Sequence, residues 1–300
     1  MPMQLVFYVI YLLAVEYALC HKTFVVSFQA QKNGIQSPSL DEWIEYSNDL
    51  SSTNEFTVCH WIKPSFFNDD TSASTGSYCI IQAEKDKMKC IQTYFMADPE
   101  SANRDVIFYG EIFWDNKNAL LSKHVKPFRH RSWAHFCWSF SSISGQSRMY
   151  YNGNLLGIDT VNNAHNETLI KGADEVFDAS LLFGQEPDSM RGGYDKTQTF
   201  FGDLAEFNLW SYILDDNQIN NMGHCKDWTQ GNMVAWKKVN WETNNVVLNY
   251  IEDARSICSE LHNLVIFPQK VAYSQAVEIC ALHGGEMALP KSETENDEIL

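Results

Sequence analysis

The chain has 300 residues, of which 45% are hydrophobic and 13% aromatic, enough for a sizeable packed core in about two domains. Its formal net charge of −16 excludes the basic surfaces that nucleic acids and anionic membranes require. The composition therefore favours a secreted globular protein, or a protein that collects cations, with no nucleic-acid partner.

The N-terminal segment has the features of a secretion signal. An apolar run from Leu5 to Val15 is followed by Ala18-Leu19-Cys20, a small-residue cleavage site. The run is shorter than the roughly 20 residues that cross a bilayer, and no later segment approaches that length. We therefore expect a signal peptide at residues 1–20, an extracellular location and no membrane span. The sequon at Asn166 predicts a glycosylated surface loop.

From residue 22 to about 250 the pattern is that of short strands joined by turns. Asn152-Gly153, between two apolar runs, predicts a tight hairpin, because that turn needs positive φ at both positions. Asp215 is a candidate N-cap for one short helix over Leu214–Met222. Strands are predicted where β-branched and aromatic residues cluster: Phe56–Lys63, Ser132–Phe140 and Asp203–Trp210. We expect a mostly β fold, an antiparallel β-sandwich with one short helix.

Beyond residue 255 the spacing of apolar residues becomes helical. The helical pattern runs from Ala272 to Leu282 and stops at Gly284-Gly285, a natural C-terminal cap. Ser292 and Glu295 have capping-box spacing, which predicts a second helix. We therefore expect residues 256–300 to be part of a second, truncated α+β domain.

The segment between Leu182 and Leu204 is the strongest candidate for a functional site. It is rich in glycine and turn residues and carries oxygen ligands of the kind that calcium prefers: Glu186, Asp188, Asp195 and Gln198. If these oxygens converge, their mutual repulsion calls for a bound cation. The alternative is an ordinary solvated acidic loop, since surface carboxylates are common.

Seven of the eight cysteines remain after Cys20 is removed with the signal, so at least one lacks a partner in the chain. Secretion favours disulfides. The competing hypothesis is a zinc site at Cys59 and Cys137 with their neighbours His60 and His135. Because strand side chains alternate, Cys59 and His60 point to opposite faces, so four ligands cannot converge.

Five motifs, in this order along the chain, carry a family resemblance: Phe56-Thr57-Val58-Cys59, His135-Phe136-Cys137-Trp138-Ser139, Gly184-Gln185-Glu186-Pro187-Asp188-Ser189, Gly202-Asp203-Leu204 and Asn232-Met233-Val234-Ala235-Trp236. Residues 22–250 resemble the pentraxin family. The family motif H-x-C-x-S/T-W is present here with Phe140 in place of the tryptophan. The resemblance implies a jelly-roll sandwich of the concanavalin and laminin-G type. It also implies a secreted, lectin-like pattern-recognition protein of innate immunity that captures phosphorylated or carbohydrate ligands, and we expect it to be a homo-oligomer.

The resemblance also implies a calcium site. In the family an Asp-Asn pair from an earlier loop completes two ions, whereas this chain has Asp86-Lys87, and a lysine cannot ligate a cation. We therefore expect one calcium ion, with Asp86 as an additional candidate ligand; the altered pair does not support assigning a second ion. The implied ligands are Glu186, the Pro187 carbonyl, Asp188, Asp195 (where the family commonly has Glu) and Gln198.

Three disulfides are expected. The resemblance implies Cys59–Cys137 as the bridge between two strands. Cys79 and Cys90 flank a polar stretch and are predicted to staple a hairpin, although they are not part of the short-pentraxin pattern. Cys225 is placed like a cysteine of longer pentraxins, with Cys258 as its expected partner.

The tail from about residue 258 resembles the start of a C-type lectin domain. The matching residues are Phe267, Ala276, Cys280, Gly284–Pro290 and Ser292–Asn296. The calcium- and sugar-binding parts of that family correspond to positions past Leu300. By this resemblance Cys280 is the lectin helix cysteine whose partner also lies there.

Two other function classes are weighed against calcium-dependent capture. A glycan hydrolase needs two carboxylates flanking the scissile bond, and Glu186 and Asp188 lack the accompanying apolar-embedded acidic array. No nucleophile-elbow or zincin motif occurs, so we expect no enzyme. An adhesion or scaffold module with structural calcium is the stronger alternative.

Overall fold

The structure is a computed structural model, and it describes residues 21–30, 38–47, 50–64, 75–84, 87–101, 105–114, 117–128, 132–162, 166–172, 178–259 and 272–282. The predicted signal peptide and the predicted helix at Ser292 lie outside them.

The described chain is mostly β and forms two antiparallel sheets. Sheet A has the order β10-β9-β8-β3-β12-β1-β15, with β13 paired to β12. Its strands are β1 (Thr23–Phe28), β3 (Glu55–Pro64), β8 (Ala134–Ser141), β9 (Gln146–Tyr151), β10 (Asn154–Thr160), β12 (Gly202–Trp210), β13 (Val234–Ala235) and β15 (Val247–Ile251).

Sheet B has the order β14-β2-β11-β4-β5-β6-β7. Its strands are β2 (Trp43–Tyr46), β4 (Thr75–Glu84), β5 (Lys87–Ala97), β6 (Val106–Trp114), β7 (Lys117–Val125), β11 (Asp178–Phe183) and β14 (Glu242–Asn244). Long hairpins dominate this sheet, because β4 to β7 pair consecutively along the chain.

The two sheets pack face to face through aromatic side chains. Phe136 of sheet A lies 4.7 Å from Phe95 and 5.0 Å from Phe108 of sheet B, measured between ring centroids. The apolar positions on alternate residues of each strand therefore meet in one core, as a sandwich requires. Four tryptophans are also buried: Trp133, Trp138, Trp210 and Trp236.

Local signals in the sequence correspond closely to observed elements. Asn152 and Gly153 have φ of 47° and 75° and join β9 to β10 as a hairpin. Helix α1 (Asp216–Gly223) begins with Asp215 as N-cap in a complete capping box with Gln218. The predicted sandwich and its short helix are therefore confirmed.

Contacts with the sandwich continue past residue 250, the expected end of the pentraxin-like domain. Helix α2 (Arg255–Ser259) places Ile257, which is fully buried, in a cluster with Val25 and Trp61. Helix α2 therefore packs against the β-sandwich. The predicted helical segment beyond it forms α3 (Tyr273–Leu282). No helix of the described residues is long and apolar enough to cross a membrane.

Candidate cation-binding loop and ligand face

Residues 184–200 form a loop, called the cation loop below, between β11 and β12. Its ends are closed by the Phe200 amide, which donates to the Gly184 carbonyl at 3.1 Å. Gly184 has φ of +94°, and a Cβ there would lie 2.6 Å from the Phe28 ring. Only glycine tolerates both the conformation and the contact, so the loop leaves the sheet in one defined direction.

Gln185 fastens the base of the cation loop. Its side chain is 3% exposed, and Nε2 donates to the carbonyls of Ser39 and Glu42, each at 3.0 Å. The Thr199 hydroxyl donates to Gln185 Oε1 at 3.4 Å from the other end of the loop. Gln185 therefore has a structural role, and the next residue, Glu186, is directed at the outer face of sheet B.

Glu186 is the most buried carboxylate of the cation loop. Burial raises its pKa, and the nearby charges of Asp188, Glu111 and Asp195 raise it further, opposed by a hydrogen bond from Gln92. Its Oε2 is buried without a hydrogen-bond partner among the described residues. A bound cation would stabilise the negative charge of a buried carboxylate that is surrounded by other acids.

Glu111 is a site residue that the sequence reasoning missed. It lies on β6, is 7% exposed, and its Oε2 accepts a hydrogen bond from Gln92 Nε2 at 3.0 Å. It is paired across the sheet with Gln92 of β5. The sequence pattern that could have indicated Glu111 is a single acidic residue inside the apolar run of a strand. Its position near Glu186, however, arises only because the cation loop folds over sheet B.

An aromatic surface adjoins these acids. The rings of Tyr94 and Tyr109 stack at 4.8 Å between centroids with 10° between their planes, and both side chains are partly exposed. Burial raises the pKa of Tyr94, and the charges of Glu111 and Glu186 are among the further causes. A ligand held at the acids would therefore contact a flat aromatic face.

The other predicted ligands occupy different parts of the cation loop. Pro187 is buried, and Asp188 is exposed. Asp195 caps a short 3-10 helix (Lys196–Gln198), accepting from the Thr197 amide at 2.7 Å and the Thr197 hydroxyl at 2.8 Å. These two hydrogen bonds lower the Asp195 pKa. Gln198, at the end of the 3-10 helix, is partly buried.

Two residues anchor the tip of the cation loop to sheet B. Arg191, with φ of 54°, donates to the carboxylates of Glu45 and Asp178. Met190 packs against the cluster formed by Cys79, Ile81 and Cys90. Because Arg191 is engaged away from Glu186, the nearest cation in the sequence does not neutralise the acids.

The donor set fits a hard cation, since it consists of carboxylate and amide oxygens. Glu186, Asp188, Gln198 and Asp195 would hold the ion from the loop, with Glu111 beside them. Among the described residues, only Cys59, His135 and Cys137 place three ligand atoms within 4.8 Å of one another. The loop carboxylates do not form such a group among the described residues, although the charges of Asp188 and Asp195 act on Glu186. Asp86 lies outside the described residues.

The two cysteines of this group, Cys59 and Cys137, form a disulfide. The structure joins the three expected pairs, Cys59–Cys137, Cys79–Cys90 and Cys225–Cys258. His60 lies on the opposite face of β3, stacked with Phe136 in the core at 6.4 Å between ring centroids. Strand alternation therefore separates the ligands of the rejected zinc site. Cys280 is unpaired, and Asn166 is exposed.

Comparisons with known proteins agree on one family. The Pentaxin family model matches residues 51–250. The female protein of Nothocricetulus migratorius is 27% identical over 168 residues, covering 51% of this chain and 68% of that protein. Neuronal pentraxin-2 of Cavia porcellus is 29% identical over 193 residues, covering 62% of this chain but only 38% of the neuronal protein.

A solved structure gives the same fold. The native heptameric SAP-like pentraxin of Limulus polyphemus superposes with a TM-score of 0.62 at 18% identity, covering 79% of this chain and 97% of that one. At this identity the match supports the fold alone. It extends over the sandwich that carries the cation loop.

Proposed function

The chain belongs to the pentaxin family, and we propose that it captures its ligands through a calcium ion held by the cation loop. The observation that carries the proposal is Glu186: its buried Oε2 has no hydrogen-bond partner in the part of the chain that the structure describes, and the charges of Asp188, Asp195 and Glu111 repel it. Calcium offsets that repulsion and is ligated by oxygen atoms of this kind.

Bound calcium would present open coordination positions to anionic oxygens of a ligand. The residues of this chain would supply the rest of the ligand contact: the Tyr94–Tyr109 surface for an apolar or ring face, and Gln92 with Glu111 for hydroxyl groups. Phosphorylated or carbohydrate ligands combine these features. We propose non-covalent, calcium-dependent capture of such ligands by a secreted protein with a lectin-like, pattern-recognition role and no enzymatic step.

The remaining parts of the proposal follow from the sequence. Secretion after removal of residues 1–20, glycosylation of Asn166 and assembly into a homo-oligomer remain predictions. So do the contribution of Asp86, the number of calcium ions, and the C-type lectin-like character of the segment after Cys258.

Calcium titration of loop variants tests the proposal. We expect Asp188→Ala and Glu186→Gln each to weaken calcium binding at least about tenfold in calorimetry, since each removes one charged ligand. Glu242→Gln, an exposed acid on β14, is the matched control and should bind calcium like the parent protein.

Two further measurements separate capture from a structural role of calcium. Chelation should abolish retention of the protein on an immobilised phosphate monoester and should increase cleavage of the cation loop by proteases. Retention that survives chelation would favour the adhesion module. Protease sensitivity that is the same with and without calcium would contradict a cation in this loop.

A further inference from the structure

A second, polar cleft lies on the outer face of sheet A, which the cation loop does not touch. Helix α1 covers one end of that face, where Ile219 and Met222 pack on the Cys59–Cys137 disulfide. Beyond the start of the helix the face is open and forms a cleft of about 270 Å³. Its lining includes Glu55, Ser139, Gln146, Arg148, Ile213 and Leu214.

Strand register places the polar groups of the cleft together. Thr57 of β3 is opposite Ser139 of β8, and Ser139 is opposite Arg148 of β9. Glu55, two residues before Thr57, therefore faces the same side, diagonal to Ser139. The Thr57 hydroxyl donates to the Tyr212 carbonyl at 2.8 Å. This hydrogen bond holds residues 212–214 in place along the apolar side of the cleft.

Three side chains of the cleft have unused hydrogen-bonding capacity. Ser139 is 1% exposed, yet its hydroxyl makes no hydrogen bond to any described residue. Among the described residues, the Glu55 carboxylate has no ion-pair partner and the Gln146 side chain has no hydrogen-bond partner. The Ser139 hydroxyl lines the cleft and offers an acceptor to a ligand there. These groups therefore indicate a site for a polar ligand.

Charge selects the kind of ligand. Arg148 donates to Asp216 Oδ1 at 3.2 Å, and this carboxylate also accepts from the Tyr150 hydroxyl at 2.8 Å, so the arginine is neutralised within the protein. Glu55 has no such counter-ion, and Asp215 adds a further negative charge at the rim. An anionic ligand would meet net repulsion here, whereas a cationic one is attracted.

We propose that this cleft binds a primary alkyl-ammonium group, with Glu55 as counter-ion and Ser139 and Gln146 as hydrogen-bond acceptors. An ammonium group has three donors and no acceptor, which matches these three acceptors. Ile213 and Leu214 line the cleft for the aliphatic chain. The volume is below the roughly 300–1,000 Å³ of pockets for larger ligands, so one side chain or small amine fits.

Two sources supply this chemistry, a lysine side chain of a protein partner and a free diamine. Calorimetry with calcium chelated tests the site independently of the cation loop, so its outcome does not depend on the proposed function. The probes are cadaverine, lysine blocked at its α-amino and carboxyl groups, a peptide with one central lysine, and the same blocked lysine acetylated on its ε-nitrogen.

We expect the three amines to bind saturably and the acetylated compound not to bind. Glu55→Gln should weaken binding at least about fivefold, and Ser139→Ala about threefold, from loss of a charge-assisted and a neutral hydrogen bond. Glu242→Gln on sheet B should leave the affinity unchanged. Tighter binding of the peptide than of cadaverine would indicate a protein partner, and the reverse a free amine.

The proposal is overturned if no probe binds saturably at millimolar concentration, or if the acetylated compound binds as well as the amine. Equal weakening by Glu55→Gln and Glu242→Gln would also overturn it, because it would show non-specific attraction to an acidic protein. Thermal unfolding of each variant, monitored by circular dichroism, ensures that a loss of binding is not a loss of folding.

Discussion

The folded protein is expected to lose several kcal/mol of stability as the pH falls from 6.5 toward 3, because two buried imidazoles must stay neutral. Burial lowers the pKa of His60 to about 3, and its two ring nitrogens have no partner among the described residues. His135 is also 2% exposed, and burial lowers its pKa to about 3, with His60 and His224 adding repulsion. Both therefore remain unprotonated in the folded state over this range.

The direction of the pH dependence follows from proton binding. The unfolded chain takes up a proton at each histidine below about pH 6.5, whereas the folded chain does not until about pH 3. The free energy of unfolding therefore rises with pH across this window and is lost as the pH falls. At about 1.4 kcal/mol per pKa unit, the upper limit is on the order of 5 kcal/mol for each histidine.

The measurement is urea unfolding at several pH values for the parent protein and two variants. His60→Leu should remove one of the two contributions and flatten the pH dependence. It should cost little at neutral pH, because it replaces a ring without hydrogen bonds among Tyr78 and Phe136. His21→Gln, a partly exposed position before β1, is the control. A free energy of unfolding that is constant from pH 6.5 to 4 would contradict the prediction.

A second acid-sensitive group acts at lower pH and can be separated from the histidines. Burial alone would raise the pKa of Asp98, but hydrogen bonds from Lys126 and His124 outweigh it and hold the pKa at about 2. The stabilisation from this carboxylate is present above about pH 3.8 and is lost between there and about 2. Loss of stability above pH 4 therefore reports the histidines.

Much of the fold could be predicted from local patterns. The hairpin at Asn152-Gly153, the N-cap at Asp215 and the strand predicted at Ser132–Phe140 each depend on residues close together in the sequence. The packing of Ile257 on Val25 of β1 could not be predicted, because these residues are far apart in the chain and no local pattern encodes that contact.

The candidate sites show the same limit. The oxygen-rich composition of the cation loop was visible in the sequence, whereas Glu111 was not. Glu111 lies near Glu186 only because the loop folds back over β5 and β6. The ammonium cleft was also missed, since Glu55, Ser139 and Gln146 come from three strands whose register brings them together. Convergence of distant strands is a tertiary property.

Removing either of the two disulfides nearest the sites should lower the stability of the protein. Only the removal of Cys79–Cys90 should also weaken calcium binding. Cys59–Cys137 links residues 78 apart in sequence and joins β3 to β8 at the centre of sheet A. Cys79–Cys90 links residues 11 apart within the β4–β5 hairpin. Loop-closure entropy predicts about 4.5 kcal/mol for the first and about 2.8 kcal/mol for the second.

The local disulfide contributes to the cation loop in a way that the central one does not. Met190, at the tip of that loop, packs on Cys79, Ile81 and Cys90. Replacing the two cysteines with alanine removes part of the surface that holds Met190, while the long β4–β5 pairing keeps the hairpin folded. The loop then has more conformations to lose when calcium binds, so its calcium affinity should fall several-fold.

Urea unfolding and calcium calorimetry on the two double-alanine variants measure both effects. Cys59→Ala with Cys137→Ala should lower the free energy of unfolding by about 4 kcal/mol and leave calcium affinity unchanged, because that pair lies under α1 on the opposite sheet. Cys79→Ala with Cys90→Ala should cost less stability but weaken calcium binding. Alanine avoids introducing a buried hydroxyl at either pair. If both variants changed calcium affinity equally, Met190 would not be the contact that couples the hairpin to the cation loop.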